Sequence, residues 1–286
     1  MRIDLHTHSD ASDGTCAPSE LIAIAAAADL DVIALTDHDT TAGWAEAGAG
    51  LRPGMTLVPG AELSCVARNA SGRRTSIHLL AYLFDPAEPR LAAERARLRD
   101  SRLHRAERIV ERLAADRIGV TWEQVRLLAA GGTVGRPHIA RALVESGFAE
   151  SVDDAFGRYL YDGGPYHVPK LDLDAEAAVR AVRAAGGVPV FAHPRARRRG
   201  PVVDDDVIVT LAGAGLAGLE IDHLDHGPDD RLQLRAMAAE LGLIVTGSSD
   251  FHGSNKTTPI GACLTAPEEY EALVAQATGP VKPLQG

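Results

Sequence analysis

Cysteine is scarce: Cys16, Cys65 and Cys263 are the only three in 286 residues, and no two share a Cys-x-x-Cys spacing. Neither a disulfide framework nor a thiolate zinc site is therefore indicated. Basic charge is also in deficit, with 29 Lys and Arg against 39 Asp and Glu and a net charge of −10. This argues against broad electrostatic binding of duplex nucleic acid but leaves room for a local basic pocket that takes a small phosphorylated molecule. No apolar run approaches the roughly 18 residues of a membrane span. The N-terminus enters a strand with no signal-peptide pattern, so the cytoplasm is the expected location. Internal repeats and low-complexity linkers are absent. An apolar content of 45% remains, ample for one large α/β domain or for a domain with an insertion.

The chemistry lies in a recurring pattern of strand-like runs followed by ligand-type side chains. Arg2-Ile3-Asp4-Leu5 leads into His6-Thr7-His8, with Asp13 shortly after. Alternate strand residues share a face, so His6 and His8 can grip one cation together. Val32-Ile33-Ala34-Leu35 delivers His38, Thr56-Leu57-Val58 leads to Glu62, and a fourth run brings His78. Val188-Pro189-Val190-Phe191 ends in His193, and Leu243-Ile244-Val245-Thr246 ends in Asp250 and His252. Two histidines two residues apart arise often by chance; nine imidazoles and carboxylates at six predicted strand ends do not. Zinc, manganese and iron accept these ligands, and scattered strand ends are where a barrel assembles its site.

The spacing of the remaining segments predicts strands alternating with helices at both ends of the chain, hence a mainly parallel sheet that can curl into a barrel. Strands stop from Leu91 to about Tyr161, where a charged helical run and two N-cap signals, Thr121 and Ser151, predict a helical insertion. The expected division is a barrel formed by residues 1–90 and 162–286, and an insertion of residues 91–161.

The set His6-x-His8, Asp13, Thr-Asp-His38, Gly-Ala-Glu62, His78, Phe-Ala-His193-Pro and Ser-Asp250-x-His252 resembles the PHP (polymerase and histidinol phosphatase) family of metal-dependent phosphoesterases. The likeness runs from residue 3 to about residue 265, and it implies a distorted seven-stranded (β/α) barrel. The opening Asp-Leu-His-Thr-His-Ser-Asp and the Gly-Arg136-Pro-His138 segment are more specific. They resemble the subgroup that removes the 3′-phosphate of nucleoside 3′,5′-bisphosphates and trims short RNA oligomers from the 5′ end, and that carries a helical insertion.

The resemblance implies two to three divalent ions, Mn, Fe or Zn, in three positions. His6, His8, Glu62 and Asp250 would hold one, Glu62 with His78 and His193 another, and Asp13, His38 and His252 a third. Asp13, His193, Arg195 and Asp250 take catalytic roles in this reading, with a metal-bound hydroxide as nucleophile. About +6 from three ions, less three carboxylates and a hydroxide, leaves a charge that a phosphomonoester dianion cancels. The expected substrate is a small phosphorylated nucleotide. The alternatives are a 5′-to-3′ exoribonuclease acting on short oligonucleotides, a histidinol-phosphate phosphatase, and a non-catalytic metal-stabilised module.

A phosphoesterase also needs guanidinium groups, which pair with phosphate through parallel hydrogen bonds. Arg195, two residues past His193, is expected at the barrel mouth as a phosphate binder. Arg197, Arg198 and Arg199 read more readily as a solvated loop. Arg136 and His138 open a helix after Gly132-Thr133-Val134-Gly135, where free backbone N–H groups favour an anion. They are the expected second phosphate site, and His223, at the end of Leu219-Glu220-Ile221-Asp222, is an expected substrate contact. His104 is expected to be exposed and inert. Asp37 or Asp39, flanking His38, is expected to orient a ligand histidine.

Overall fold

The computed structural model describes residues 1–286. The chain opens with β1 (Ile3–Thr7), α1 (Pro18–Ala27), β2 (Val32–Leu35), α2 (Trp44–Ala49), β3 (Thr56–Arg68) and β4 (Arg74–Tyr82). A helical segment follows: α3 (Pro89–Ala115), α4 (Trp122–Leu128), α5 (Arg136–Glu145) and α6 (Val152–Ala155), the last running into a π-helical turn at Phe156–Leu160. Alternation then resumes with β5 (Leu173–Asp174), α7 (Ala175–Ala184), β6 (Val188–Ala192), α8 (Asp205–Gly213) and β7 (Gly218–Asp222). The chain ends with α9 (Pro228–Leu241), β8 (Ile244–Gly247), α10 (Pro267–Ala275) and β9 (Leu284–Gln285).

Seven strands form the wall in the order β1-β2-β3-β4-β6-β7-β8, with β5 and β9 pairing at the sides of β3. Within the wall all neighbours are parallel except around β4, which runs against both β3 and β6; β9 also runs against β3. A bridge between Thr7 and Phe251, with His8 N donating to Phe251 O at 2.9 Å, nearly closes the sheet into a barrel. One alternating set of strand residues, including Ile3, Val32, Ala34, Val58, Leu80, Tyr82, Val190 and Ala192, meets in a cluster of 14 buried side chains that fills the barrel. The other set packs outward on helices, as Phe191, Leu219 and Ile221 do with Val179, Val182 and Leu211. Both faces of these strands are buried, which is why β2 and β6 read as continuous apolar runs rather than as alternation.

Glu88 caps α3, its Oε2 accepting from Leu91 N at 2.7 Å, and Thr121 and Ser151 cap α4 and α6 through their side chains. Within α3, Leu91 and Leu98 belong to the core outside the barrel, whereas Ala106, Ile109, Val110 and Leu113 belong to a separate cluster of 17 buried residues reaching Tyr166. The helix is a common spine for two cores. No helix of the chain is long and apolar enough to cross a membrane.

Glu62 and His78 do not stand at strand ends. They face inward from the middle of β3 and β4, because that antiparallel pair continues beyond the barrel rim as a hairpin through Arg68 and Arg74. Where an inward face meets the rim is decided by the neighbouring strands, and no local signal in β3 or β4 marks it.

Candidate metal centre

The inward alternation that builds the apolar filling also delivers the ligand-type residues. Val58, Gly60 and Glu62 follow one another on β3, and Tyr82, Leu80 and His78 do so on β4. The register of β1 against β2 shifts between Asp4 and Thr7, and that of β7 against β8 between Glu220 and Asp222. Such irregularities re-aim side chains next to functional sites. Three of the seven non-glycine residues with positive φ, Asp39, His193 and Asp250, lie at this rim. Backbone held in that region persists only where the surroundings over-determine it.

All nine predicted ligand residues converge. Glu62 is central: Oε1 lies 2.7 Å from His78 Nδ1 and 3.1 Å from His193 Nε2, while Oε2 lies 3.2 Å from His6 Nε2, 3.1 Å from His8 Nε2 and 3.2 Å from His38 Nδ1. Asp250 Oδ1 approaches His6, His8 and His252 at 3.4–3.5 Å. Asp13 lies 3.4 Å from His252 Nε2 and 3.6 Å from His38 Nε2. Four overlapping groups have ligand atoms close enough to share an ion: His8-Asp13-His38-His252, His6-Glu62-His193, His6-His8-Asp250 and His38-Glu62-His78. His8 thus joins the Asp13 group, and His38 stands between two groups.

The donor atoms fit cations better than they fit one another. His6 Nε2 and His8 Nε2 are 3.0 Å apart, although the other ring nitrogens face Glu220 at 2.9 Å and Ser12 Oγ at 3.3 Å. His38 Nδ1 and His78 Nδ1 are buried and lack a hydrogen bond despite their closeness to Glu62, because the ring geometry is wrong for donation. Lone pairs converging without protons between them are the arrangement that a bound ion requires. The carboxylates also call for positive charge at this point: burial opposes a charged His6, yet Glu62, Glu220 and Asp250 raise its pKa well above the usual imidazole range, so without a cation they favour a proton on the ring, one that a bound cation would displace. Burial likewise opposes the charge of Glu62, and the surrounding His78, His38 and His6 nevertheless hold it well below the usual carboxylate range. Burial, with Arg199 nearby, pushes His193 down to about 3, and burial with Lys256 and His8 pushes His252 down to about 4, so both stay neutral and able to ligate.

The surrounding shell was only partly foreseen. Asp37 accepts from Ser9 N, Ser9 Oγ and Ser12 Oγ, and Ser12 in turn meets His8. Asp39 accepts from Ser64 N, Ser64 Oγ and Arg102 Nε. Glu220, fully buried, has no counterpart among the expected site residues. A charged residue inside the apolar run Gly218-Leu219-Glu220-Ile221 was the signal available.

The arginines require a correction. Arg195 is buried, and its guanidinium donates to Val203 O at 2.6 Å and pairs with Asp205, so it is a structural tie rather than a phosphate binder at the mouth. Arg199, expected in a solvated loop, instead stands over the cluster. Its Nη2 is 2.7 Å from Asp250 Oδ2 and 3.4 Å from His223 Nε2, its Nε donates to Asp225 at 2.7 Å, and its Nη1 has no partner. Lys256 Nζ reaches the same Asp250 oxygen at 2.6 Å. Arg197 pairs with Asp230 on the surface, and His104 is exposed as expected.

Arg136, Arg102 and Arg105 line one small cleft with Val134, Gly135 and Ile139. Arg136 Nη1 donates to Leu160 O and to Asp162, leaving Nη2 free. Burial, together with Arg136 and Arg102, pushes Arg105 down to about 10, a sign of crowded positive charge. His138 is buried and its Nδ1 accepts from Gly135 N at 3.0 Å, so it fixes the start of α5 instead of presenting that nitrogen to a ligand. The segment is tied to the β1 loop by Thr133 N donating to Ala11 O at 2.8 Å. Gly132 is obligatory there, since a Cβ would lie 2.2 Å from Asp10 O.

A sequence profile described as the PHP domain matches residues 4–115. The chain is 36% identical over 252 residues to the 3′,5′-nucleoside bisphosphate phosphatase of Chromobacterium violaceum, covering 87% of each chain. It is 33% identical over 273 residues to the 5′-3′ exoribonuclease Rnm of Escherichia coli, covering 94% of this chain and 92% of that one. Among solved structures, a protein of Bifidobacterium adolescentis assigned as a metal-dependent phosphoesterase superposes with a TM-score of 0.90 at 34% identity, over 97% of both chains.

Proposed function

Since the chain belongs to the PHP domain family of metal-dependent phosphoesterases, we propose that it removes the 3′-phosphate of nucleoside 3′,5′-bisphosphates such as adenosine 3′,5′-bisphosphate, giving a 5′-mononucleotide and phosphate. The observation that carries this reading is the second cationic site. Arg102, Arg105 and Arg136 face one cleft, and each keeps a terminal nitrogen without a hydrogen-bond partner. Arg102 joins that cleft to the cluster, because its Nε and Nη2 hold Asp39, beside His38, and Ser64, paired across the strands with His78. A substrate with one phosphate would leave these guanidinium groups unused; a bisphosphate engages both sites.

Two to three divalent transition-metal ions, Mn, Fe or Zn, fit the nine ligands His6, His8, Asp13, His38, Glu62, His78, His193, Asp250 and His252. When bound, they lower the pKa of water, hold phosphoryl oxygens and stabilise the departing oxygen. Arg199, Lys256 and His223 form the cationic and hydrogen-bonding rim for the scissile phosphoryl group. A water oxygen bonds to phosphorus, the P–O3′ bond breaks, and the 3′-oxygen leaves with a proton. The cleft arginines keep the 5′-phosphate at a fixed reach from this point. The exoribonuclease similarity favours a second reading, in which the same cleft holds the 5′-phosphate of a short RNA.

Phosphate release by the Mn-loaded protein from adenosine 3′,5′-bisphosphate, AMP and histidinol phosphate, with nucleotide release from a 5′-phosphorylated dinucleotide, separates these readings. We expect the bisphosphate to be preferred. Arg136→Ala should lower kcat/KM for it by about 10² to 10³, the scale of a lost charge-assisted phosphate contact of some 3 to 4 kcal/mol, and change hydrolysis of a simple aryl phosphate little. Equal losses on both substrates would assign Arg136 to the fold and remove the case for a bisphosphate.

A further inference from the structure

Glu220 is a buried carboxylate that belongs to no ligand group; unlike Asp4, Asp37 and Asp39 it faces a ligand-type imidazole directly, and it touches two of the strand ends that supply the cluster. Its Oε1 faces His6 Nδ1 at 2.9 Å and accepts from Ser248 Oγ, two residues before Asp250. Its Oε2 accepts from His193 N at 2.8 Å, where the backbone turns to a φ of 32°. Both oxygens are thus committed to residues of β1, β6 and the segment after β8, all reached from β7. With Nδ1 donating to Glu220, His6 is held in the tautomer whose Nε2 lone pair faces His8, Glu62 and Asp250. The N–H contact to His193 fixes the turn that swings its ring onto Glu62. Asp13, His38 and His252 make no hydrogen bond with Glu220; the ring of His252 instead meets the backbone oxygen of Asp250 at 2.8 Å.

We propose that Glu220 is a positioning residue for one side of the metal centre only: it secures the ions held through His6 and His193 and is indifferent to the ion held through Asp13, His38 and His252. The inference rests on the reading of those residues as ligands. A glutamine there cannot substitute fully, because its single carbonyl oxygen must accept from a ring N–H, a backbone N–H and a hydroxyl, and its NH₂ faces one of those donors.

The test is stepwise metal binding by the full-length protein, titrated with Zn²⁺ or Mn²⁺ against a chelator and counted by elemental analysis. Wild type, Glu220→Gln, His6→Ala, Asp13→Ala and the two double variants with Glu220→Gln are compared, with the thermal midpoint of each metal-free protein as a folding control. Glu220→Gln should weaken part of the bound metal by about 10- to 100-fold, the range for lost outer support, and leave one ion at wild-type affinity. It should add less than its full effect to His6→Ala, the remainder being the share carried through His193, and its full effect to Asp13→Ala. If Glu220→Gln does not fold, Ser248→Ala removes one partner of the same carboxylate and should give a smaller loss with the same pattern. Uniform weakening of every ion, full additivity with His6→Ala, or unchanged binding would overturn the proposal. Metal binding that survives His6→Ala untouched would instead overturn the ligand reading, and the role of Glu220 with it.

Discussion

Arg195 and Arg199 are four residues apart in one basic run, and the structure gives them opposite tasks. Arg195 Nη1 satisfies Val203 O inside the protein, and its partner Asp205 is half exposed, so Arg195→Ala should cost about 1 to 2 kcal/mol and lower the thermal midpoint by a few degrees. Activity per folded molecule should hold within about threefold, since one factor of ten needs about 1.4 kcal/mol at the transition state. Arg199→Ala should do the reverse. We expect kcat/KM to fall at least about tenfold on an aryl phosphate and on a bisphosphate alike, because Arg199 stands over the Asp250 side of the cluster, the proposed scissile site that both would share, with little change in melting. A swap of these two phenotypes would return the phosphate-binding role to Arg195. Sequence position alone could not separate the pair. Two residues past a ligand is a reasonable place for a substrate contact, but a side chain's direction depends on what competes for it, and here a carbonyl and a carboxylate of the following segment win.

At the scale of elements, α3 and the turn after β8 do the most positioning. Arg102 and Arg105 are three apart on α3, so they lie on one helix face, and both look into the cleft. Leu113, fully buried in the second core, anchors the far end of that helix. Leu113→Ala should destabilise by about 3 to 5 kcal/mol through the lost burial and the cavity. Urea titration would register this loss, and a loss below 1 kcal/mol would mean that the helical segment does not hold α3 in place. Gly253, with a φ of 64°, follows His252, and a Cβ there would lie 2.0 Å from Thr15 Oγ1. Gly253→Ala should therefore cost about 1 to 3 kcal/mol and displace His252, weakening the ion that it shares with Asp13 and His38. Helix starts at Thr121 and Ser151 were legible, because caps are local chemistry. The length of β3 was not: its strand continues past Glu62 only because β4 returns alongside it.

For the whole molecule, the strongest expectation concerns metal removal. Four apolar clusters support the fold independently of the centre, so the chelated protein should stay folded. Binding to the native state alone adds about 2.7 kcal/mol at a hundredfold excess over Kd. Chelation should accordingly lower the thermal midpoint by roughly 5 to 10 °C and abolish phosphate release, and added Mn²⁺ should restore both. Collapse to an unfolded chain on chelation would show that the like-charge and lone-pair crowding around Glu62 outweighs the apolar cores. Hydrolysis in oxygen-18 water should place one label in the released phosphate and none in the nucleotide. Label in the nucleotide would mean attack at carbon.

The sequence by itself picked out the nine side chains that the fold brings together, since a metal demands specific donor atoms and those residue types recur after apolar runs at spacings that chance does not supply. It determined the α/β alternation and the existence of the helical segment as well, because periodicity and caps act over a few residues. Only the tertiary structure decided which arginine faces the cluster, that Arg102 links cleft to centre, and that Glu220 stands beneath His6 and His193. These are contacts between residues tens to hundreds of positions apart. Their geometry follows from how a closed sheet brings its strands together, and nothing local in the chain encodes that.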